Sequence, residues 1–333
     1  MALVRIRPLV DMHVHLREPG GEHKETIASG TAAAKAGGFG AVACMPNTTP
    51  PLDTSERVRF VIGRARETAL VSVYPIACIT VGQRGEALTD FAALKAAGAV
   101  ALSDDGYPVA DEGVMRAALI KAAEAGLPII SHCEPETQIA ERDMRLAGET
   151  GTSVHIAHVS LRSTVEAIAR AKLRGVSVTA ETCPHYFTEG ASGKMNPPLA
   201  GSEDIWAVRR ALSDGTIDAI ATDHAPHTRA EKAALPAPNG VIGLETAVAA
   251  ALTALYHTGT LGLDRLFALM RENPAKILRI PLPEGEIEID TDKIWTLDEE
   301  KLLSKSRNTP FPGMTFKGRV FPLLQENAAI ATL

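Results

Sequence analysis

Cysteine is scarce in this 333-residue chain, and its four copies lie far apart. Cys44, Cys78, Cys133 and Cys183 form no CxxC pair, so free thiols in a reducing compartment are expected. Long apolar runs are missing as well. No stretch approaches the roughly 18 residues of a membrane span. The opening MALVRIRPLVDMHVHL lacks the apolar centre of a secretory signal. The expected location is therefore the cytoplasm. Positive charge is also in short supply: 34 Lys and Arg stand against 40 Asp and Glu, a net charge of -6. With no basic stripe, nucleic acid is not an expected partner. Low-complexity tracts and sequence repeats are absent too. What remains is ordinary globular material, 45% hydrophobic and 22% charged, and a chain of this length builds a sufficient core without disulfides.

The pattern that is present is an alternation. Apolar runs at 9–15, 40–46, 71–80, 97–103, 127–132, 153–159, 175–182 and 217–223 are bounded by Gly or Pro. They have the length and continuity of parallel strands buried on both faces. Amphipathic segments separate them. KETIASGTAAAKAGG ends in Gly37-Gly38, and DTSERVRFVIGRARE opens with Asp53, Thr54 and Ser55 as candidate caps. The last of eight helical segments spans 243–259. Eight such units predict an α/β fold of the TIM (β/α)8 type, with a doubly wound open sheet as the competitor. Two further helices follow residue 260. From about 281 the chain changes character, with GEIEIDTDKIWTL and GMTFKGRVFPLL alternating like strands. The expected division is a barrel over 1–280 and a small C-terminal β appendage over 281–333.

Metal-competent residues fall at the C-terminal ends of the proposed strands, the face that carries active sites in such barrels. His13 and His15 are two apart, so both point to one face of strand 1. Strand 4 ends in Ser103-Asp104-Asp105, strand 5 in His132, strand 6 in His158, and strand 8 in Asp223. A single HxH pair reads most simply as two core histidines. Four histidines and two carboxylates converging from five strand ends read as a metal site. Nitrogen and carboxylate donors without thiolate suit Zn2+, Mn, Co or Fe(II). Six ligands suit two metals bridged by a carboxylate and hydroxide. Arg17 and Asn47 lie at strand ends where they can hold a substrate carboxylate. Asn47 alone also reads as a turn residue, and Asn196 as a loop residue. His155 lies three residues before His158, so strand alternation denies them a common face. It reads as structural or as a support behind a ligand, His185 as such a support or simply core, and Cys133 as pointing into packing.

The motifs HVHLREPG, MPNTTPP, SDDGYP, SHCE, HIAHVS, ETCPHYF, KMNPPL and ATDHAPH, in this order, resemble the dihydroorotases. LSKSRNTPFPGM extends the resemblance, which covers about 9–320. It implies a small-molecule reaction of de novo pyrimidine synthesis, the reversible closure of N-carbamoyl-L-aspartate to (S)-dihydroorotate. It implies two Zn2+ per subunit: His13, His15 and Asp223 on the first, His132 and His158 on the second, Asp105 and a hydroxide between them. Asp223 would also be the catalytic proton carrier. Arg17, Asn47 and His227 would hold the substrate carboxylate, Asn196 the ring, and the backbone at Asn239-Gly240 would complete the pocket. A homodimer and an association with an aspartate transcarbamoylase are further expectations. The chain departs from the family where Ala200 follows NPPL in place of an arginine, where Asn239-Gly240 stands for Phe-Gly, and in its short lead into strand 1. Hydantoinases and allantoinases share the HxH and TDHAPH elements, but Asp105 stands where they keep a modified lysine. A catalytically inactive scaffold for a transcarbamoylase is the reading of a different class; such a chain would lose ligands, and none is missing.

Overall fold

The computed structural model describes residues 3–322. The last eleven residues of the expected appendage, 323–333, lie outside the described residues.

Eleven strands are present: β1 (Leu3–Ile6), β2 (Leu9–Val14), β3 (Phe39–Cys44), β4 (Ser72–Ala77), β5 (Ala101–Leu102), β6 (Ile130–Ser131), β7 (Ser153–Ile156), β8 (Ser177–Thr182), β9 (Ala219–Ile220), β10 (Ile287–Thr296) and β11 (Thr315–Pro322). All eight apolar runs become strands. β2 to β5 form one parallel four-stranded sheet and β6 to β9 another. Two single bridges join these halves. Leu102 pairs with Ile129 between β5 and β6, and Val14 pairs with His224 between β2 and the end of β9. Closure on both sides makes a barrel and removes the open-sheet alternative, whose two edges would stay unpaired.

Alternation along the strands sorts side chains into two shells. Val10, Met12, Ala43, Ile76, Ala101 and Ala219 pack together in the lumen. Leu9, Val42, Leu102, Ile156 and Val178 pack outward against helix residues such as Val58, Val61 and Leu119. Helix Glu272–Leu278 adds Ala275 and Leu278 to the lumen cluster. Many lumen positions are alanine, which suits a filled barrel of small radius.

The helices begin where short polar residues can accept an amide hydrogen. Thr26 caps Ile27–Ala36 through Ser29 N, Thr54 caps Ser55–Thr68, and Asp111 caps Glu112–Ala125 through Val114 N. The expected continuous helix over 243–259 is shorter. An α-helical stretch, Ala247–Ala251, runs into a π-helical turn at Leu252–Tyr256. No helix among the described residues is long and apolar enough to cross a membrane.

The β appendage is an antiparallel sheet in the order β1-β10-β11. Its third strand comes from the N-terminus, with Leu3 opposite Asp290 and Ile6 opposite Ile287. The boundary expected at 280 is thus crossed by residues 3–6. A four-residue strand with half its side chains exposed carries too little apolar patterning to be read from sequence.

Candidate metal centre

β2 brings in His13 and His15 through an irregularity in its pairing with β3 between Asp11 and Val14. Val10 and Met12 face the lumen, so strict alternation would send His13 toward the helices. The irregularity reverses the phase. Asp11 holds the bend, accepting from His13 N and from Thr222 N, both at 3.1 Å. His13 Nε2 then lies 3.3 Å from Asp105 Oδ1 and 3.5 Å from Asp223 Oδ1. His15 Nε2 lies 3.0 Å from Asp223 Oδ1 and 3.4 Å from Asp105 Oδ2.

The tautomers of both rings follow from their other nitrogens. His13 Nδ1 is 2.6 Å from Glu181 Oε1, and His15 Nδ1 is 2.8 Å from Asn47 Oδ1. Each oxygen only accepts, so each Nδ1 donates and each Nε2 keeps its lone pair for the centre of the site.

The strands opposite supply the second group. Beyond β5, Ser103 and Asp105 turn inward while Asp104 turns away, accepting from Ile79 N, Thr80 N and the Thr80 hydroxyl. His132 Nδ1 and His158 Nε2 each lie 3.5 Å from Asp105 Oδ1, and 2.9 Å from one another. Two candidate metal-holding triads result, His13-His15-Asp105 and Asp105-His132-His158, with Asp105 common to both. Asp223 lies against the first through its contacts with His13 and His15.

The chemistry of this pocket fits divalent cations. Its six residues are at most 6% exposed, and His13 Nε2 is buried with no hydrogen-bond partner. A buried ring nitrogen without a partner is costly unless something accepts its lone pair. Burial opposes ionisation of Asp105 and Asp223. The neighbouring His13 overrides it, holding Asp105 well below the usual carboxylate range and Asp223 down to about 2. Burial likewise opposes a charge on Glu181, yet His13 and His155 bring it down to about 2. Three carboxylates around one buried imidazole favour positive charge there. The donors are nitrogen and oxygen, without thiolate.

Beside this group lies Arg17, whose Nε donates to Pro226 O at 3.2 Å and whose Nη2 is 3.4 Å from His227 Nε2. Burial lowers the Arg17 guanidinium to about 10, leaving it charged at neutral pH. Burial, with Arg17 and Lys24 nearby, lowers His227 to about 3 and keeps it neutral. Asn47 sits further in. Besides accepting from His15, it donates from Nδ2 to Asp105 O and Oδ2, both at 3.3 Å. Asn196 Nδ2 lies 2.8 Å from Glu134 Oε2 and 3.4 Å from His132 Nε2. The Asn239 side chain is exposed, and Gly240 is buried at φ 127°.

Three residues near the site were not anticipated, and a fourth takes a face that strand alternation had denied it. Glu181 and Asp11 hold His13, and Asn308 donates to Ala225 O and Gly240 O while accepting from His227 N. His155 is the fourth. It faces the lumen as His158 does, because β7 ends at Ile156 and His158 adopts φ 38°, which breaks the alternation that would have separated them. Alternation in GVSVTAET carries a signal for Glu181, since Thr179 and Glu181 lie opposite in phase to the outward Val178 and Ala180.

The comparisons agree with this geometry. The family model described as Dihydro-orotase-like matches residues 3–186. A dihydroorotase of Pelobacter propionicus is 44% identical, with 98% of this chain and 85% of that protein covered. The chain belongs to the dihydroorotase family. A second family member, from Citrifermentans bemidjiense, is 45% identical over 93% of this chain and 84% of its own. Among solved structures, L-hydantoinase from Arthrobacter aurescens superposes with a TM-score of 0.84 at 23% identity, covering 95% of this chain and 82% of that one. Dihydropyrimidinase from Brevibacillus agri gives 0.84 at 19%, covering 96% and 82%. At those identities the likeness speaks for the fold: the chain shares the barrel of these amidohydrolases. Membership in the dihydroorotase family makes it an enzyme of the cyclic amide hydrolase class.

Proposed function

We propose that the enzyme interconverts N-carbamoyl-L-aspartate and (S)-dihydroorotate, releasing water on ring closure, in de novo pyrimidine synthesis. The observation that carries this reading is the pair of triads sharing Asp105, with a charged Arg17 and a neutral His227 beside them. In this reading His13, His15 and Asp223 would hold one Zn2+ and His132 and His158 a second, with Asp105 common to both triads. When bound, such cations polarise an amide carbonyl and bring the pKa of water toward about 7.

The protein's own groups do the rest. Asp223 is ionised, and its carboxylate accepts the proton of the attacking water and passes it to the departing ring nitrogen. Ring closure runs the same transfer backward. Arg17 pairs with the substrate carboxylate, and His227 offers it a neutral ring N–H at no cost in charge burial. Asn196 and the backbone at Asn239-Gly240 border the ring. Asn47 steadies His15 and Asp105 and reaches the substrate from the same side. The cytoplasmic location, a homodimer, an aspartate transcarbamoylase partner and the division into 1–280 and 281–333 belong to the same reading and rest on family resemblance and sequence pattern.

The test uses the purified protein loaded with Zn2+, supplied with dihydroorotate, hydantoin and allantoin, with the ring-opened products measured. Turnover of dihydroorotate alone is expected. Asp223→Asn, brought to the same metal content as the wild type, is expected to lose about 10²–10⁴-fold in kcat. A metal-replete enzyme inert toward dihydroorotate, or an Asp223→Asn variant near wild-type rate, would sink the assignment.

A further inference from the structure

We infer that Glu181, with His155 behind it, is the positioning carboxylate that sets the affinity of the His13-His15 metal position independently of the second position. The inference rests on the reading of His13 and His15 as ligands.

Glu181 is completely buried and belongs to β8, whereas His13 belongs to β2, with β9 between them. Its side chain crosses the lumen to place Oε1 2.6 Å from His13 Nδ1. Oε2 lies 3.5 Å from His155 Nε2, and His155 Nδ1 lies 2.8 Å from Thr179 Oγ1. No Lys or Arg pairs with Glu181; its two ion-pair partners are His13 and His155. A buried carboxylate whose only partners are two imidazoles is held for the sake of those rings, since burial by itself opposes its charge. Its orientation has a clear consequence for His13. It fixes the proton on Nδ1, aims Nε2 at Asp105 and Asp223, and raises the electron density of the ring. Among the described residues no buried carboxylate at hydrogen-bond distance stands behind the other ligands: the one nearest His132 Nε2, Glu134, is 3.7 Å away and exposed. His15 leans on the neutral Asn47, and His158 Nδ1 is buried with no partner. One metal position is therefore braced by a buried charge in direct contact, the other only by an exposed carboxylate at longer range.

The experiment strips the full-length protein of metal by chelation, then titrates Zn2+ against a competing chelator and counts bound metal by elemental analysis. Glu181→Gln keeps the shape and loses the charge. The expected result is one affinity weakened about 10–100-fold and the other unchanged. The loss should be confined to one position whatever the change in unfolding temperature of the metal-free variant, which is measured alongside. His155→Gln, which leaves Glu181 in place without its second partner, should weaken the same position by less. Unchanged affinities in both variants overturn the inference. So does an equal loss at both positions, the signature of a structural role. A wild type that binds no divalent cation would overturn the metal-centre reading itself, which a silent Glu181→Gln would leave standing.

Discussion

His227 is the residue whose charge state most directly ties site to stability. Burial comes first among the causes that lower it to about 3, followed by Arg17 and Lys24. In the unfolded chain it titrates near 6.5. The unfolded state therefore takes up a proton that the folded state refuses. Its stabilising contribution is complete above about pH 6.5 and is lost as pH falls toward 3. His227→Gln should flatten the acid limb of the stability curve by about 1–2 kcal/mol between pH 7 and pH 5, read from urea unfolding at each pH. An unaltered slope would mean that His227 is protonated in the folded protein. Backbone strain concentrates at the same scale. Arg17, His158 and Asp223 adopt φ of 61°, 38° and 45°, a region that costs a residue with a side chain about 1–3 kcal/mol. Each of these turns aims its side chain into the site in place of the next pleat, so the strain has a visible use.

At the scale of an element, the segment from Thr228 to Val241 is held by its backbone. Lys232 Nζ donates to Lys194 O, Pro238 O and Gly240 O, and Asn308 donates to Gly240 O and Ala225 O. Gly240 is the point of closest approach. A Cβ there would lie 2.8 Å from Ala225 Cβ and 2.9 Å from Ala225 O, at a φ that alanine tolerates poorly. Gly240→Ala is expected to cost about 2 kcal/mol or more locally and to push the segment off Ala225 and His227. Because His227 borders the proposed substrate carboxylate and this backbone borders the ring, KM should rise several-fold more than kcat falls. Steady-state kinetics on dihydroorotate would show it, and an unchanged KM would exclude this segment from the substrate pocket. Its exposed tip, with Leu235 98% exposed, has no part in that packing.

For the whole molecule, the site doubles as a clasp. The proposed ligands come from the ends of β2, β5, β6, β7 and β9, so a bound cation ties both four-stranded halves together. Single bridges at Leu102–Ile129 and Val14–His224 are the only strand pairings recorded between those halves among the described residues. Each Zn2+ at a hundredfold excess over its Kd should add about 2.7 kcal/mol. Removal by chelation should therefore lower Tm by several degrees, and Zn2+ should restore it, measured by calorimetry. The same Tm with and without chelator would refute a metal link across the halves.

How much of this stood in the sequence depends on the range of the interaction responsible. Strand placement came from apolar runs, whose burial is local and periodic, and all eight survive in the structure. The six convergent residues were visible because strand ends of a barrel share one face, so position along each strand also places a residue in space. Asp105 was told from Asp104 by its spacing to His132, which matches the family, together with the pleat. What the sequence left open is whatever depends on contacts between distant segments or on a break in alternation. Closure of the barrel rests on two bridges, and no local pattern distinguishes it from an open sheet. The pairing of Leu3–Ile6 with β10 depends on a partner more than 280 residues away. His155 was set apart from His158 by a rule that holds only while the strand continues, and β7 stops two residues short of His158. Glu181 stayed hidden for a related reason. Its partner His13 lies 168 residues earlier and across the lumen, and only the closed barrel brings that carboxylate to that ring.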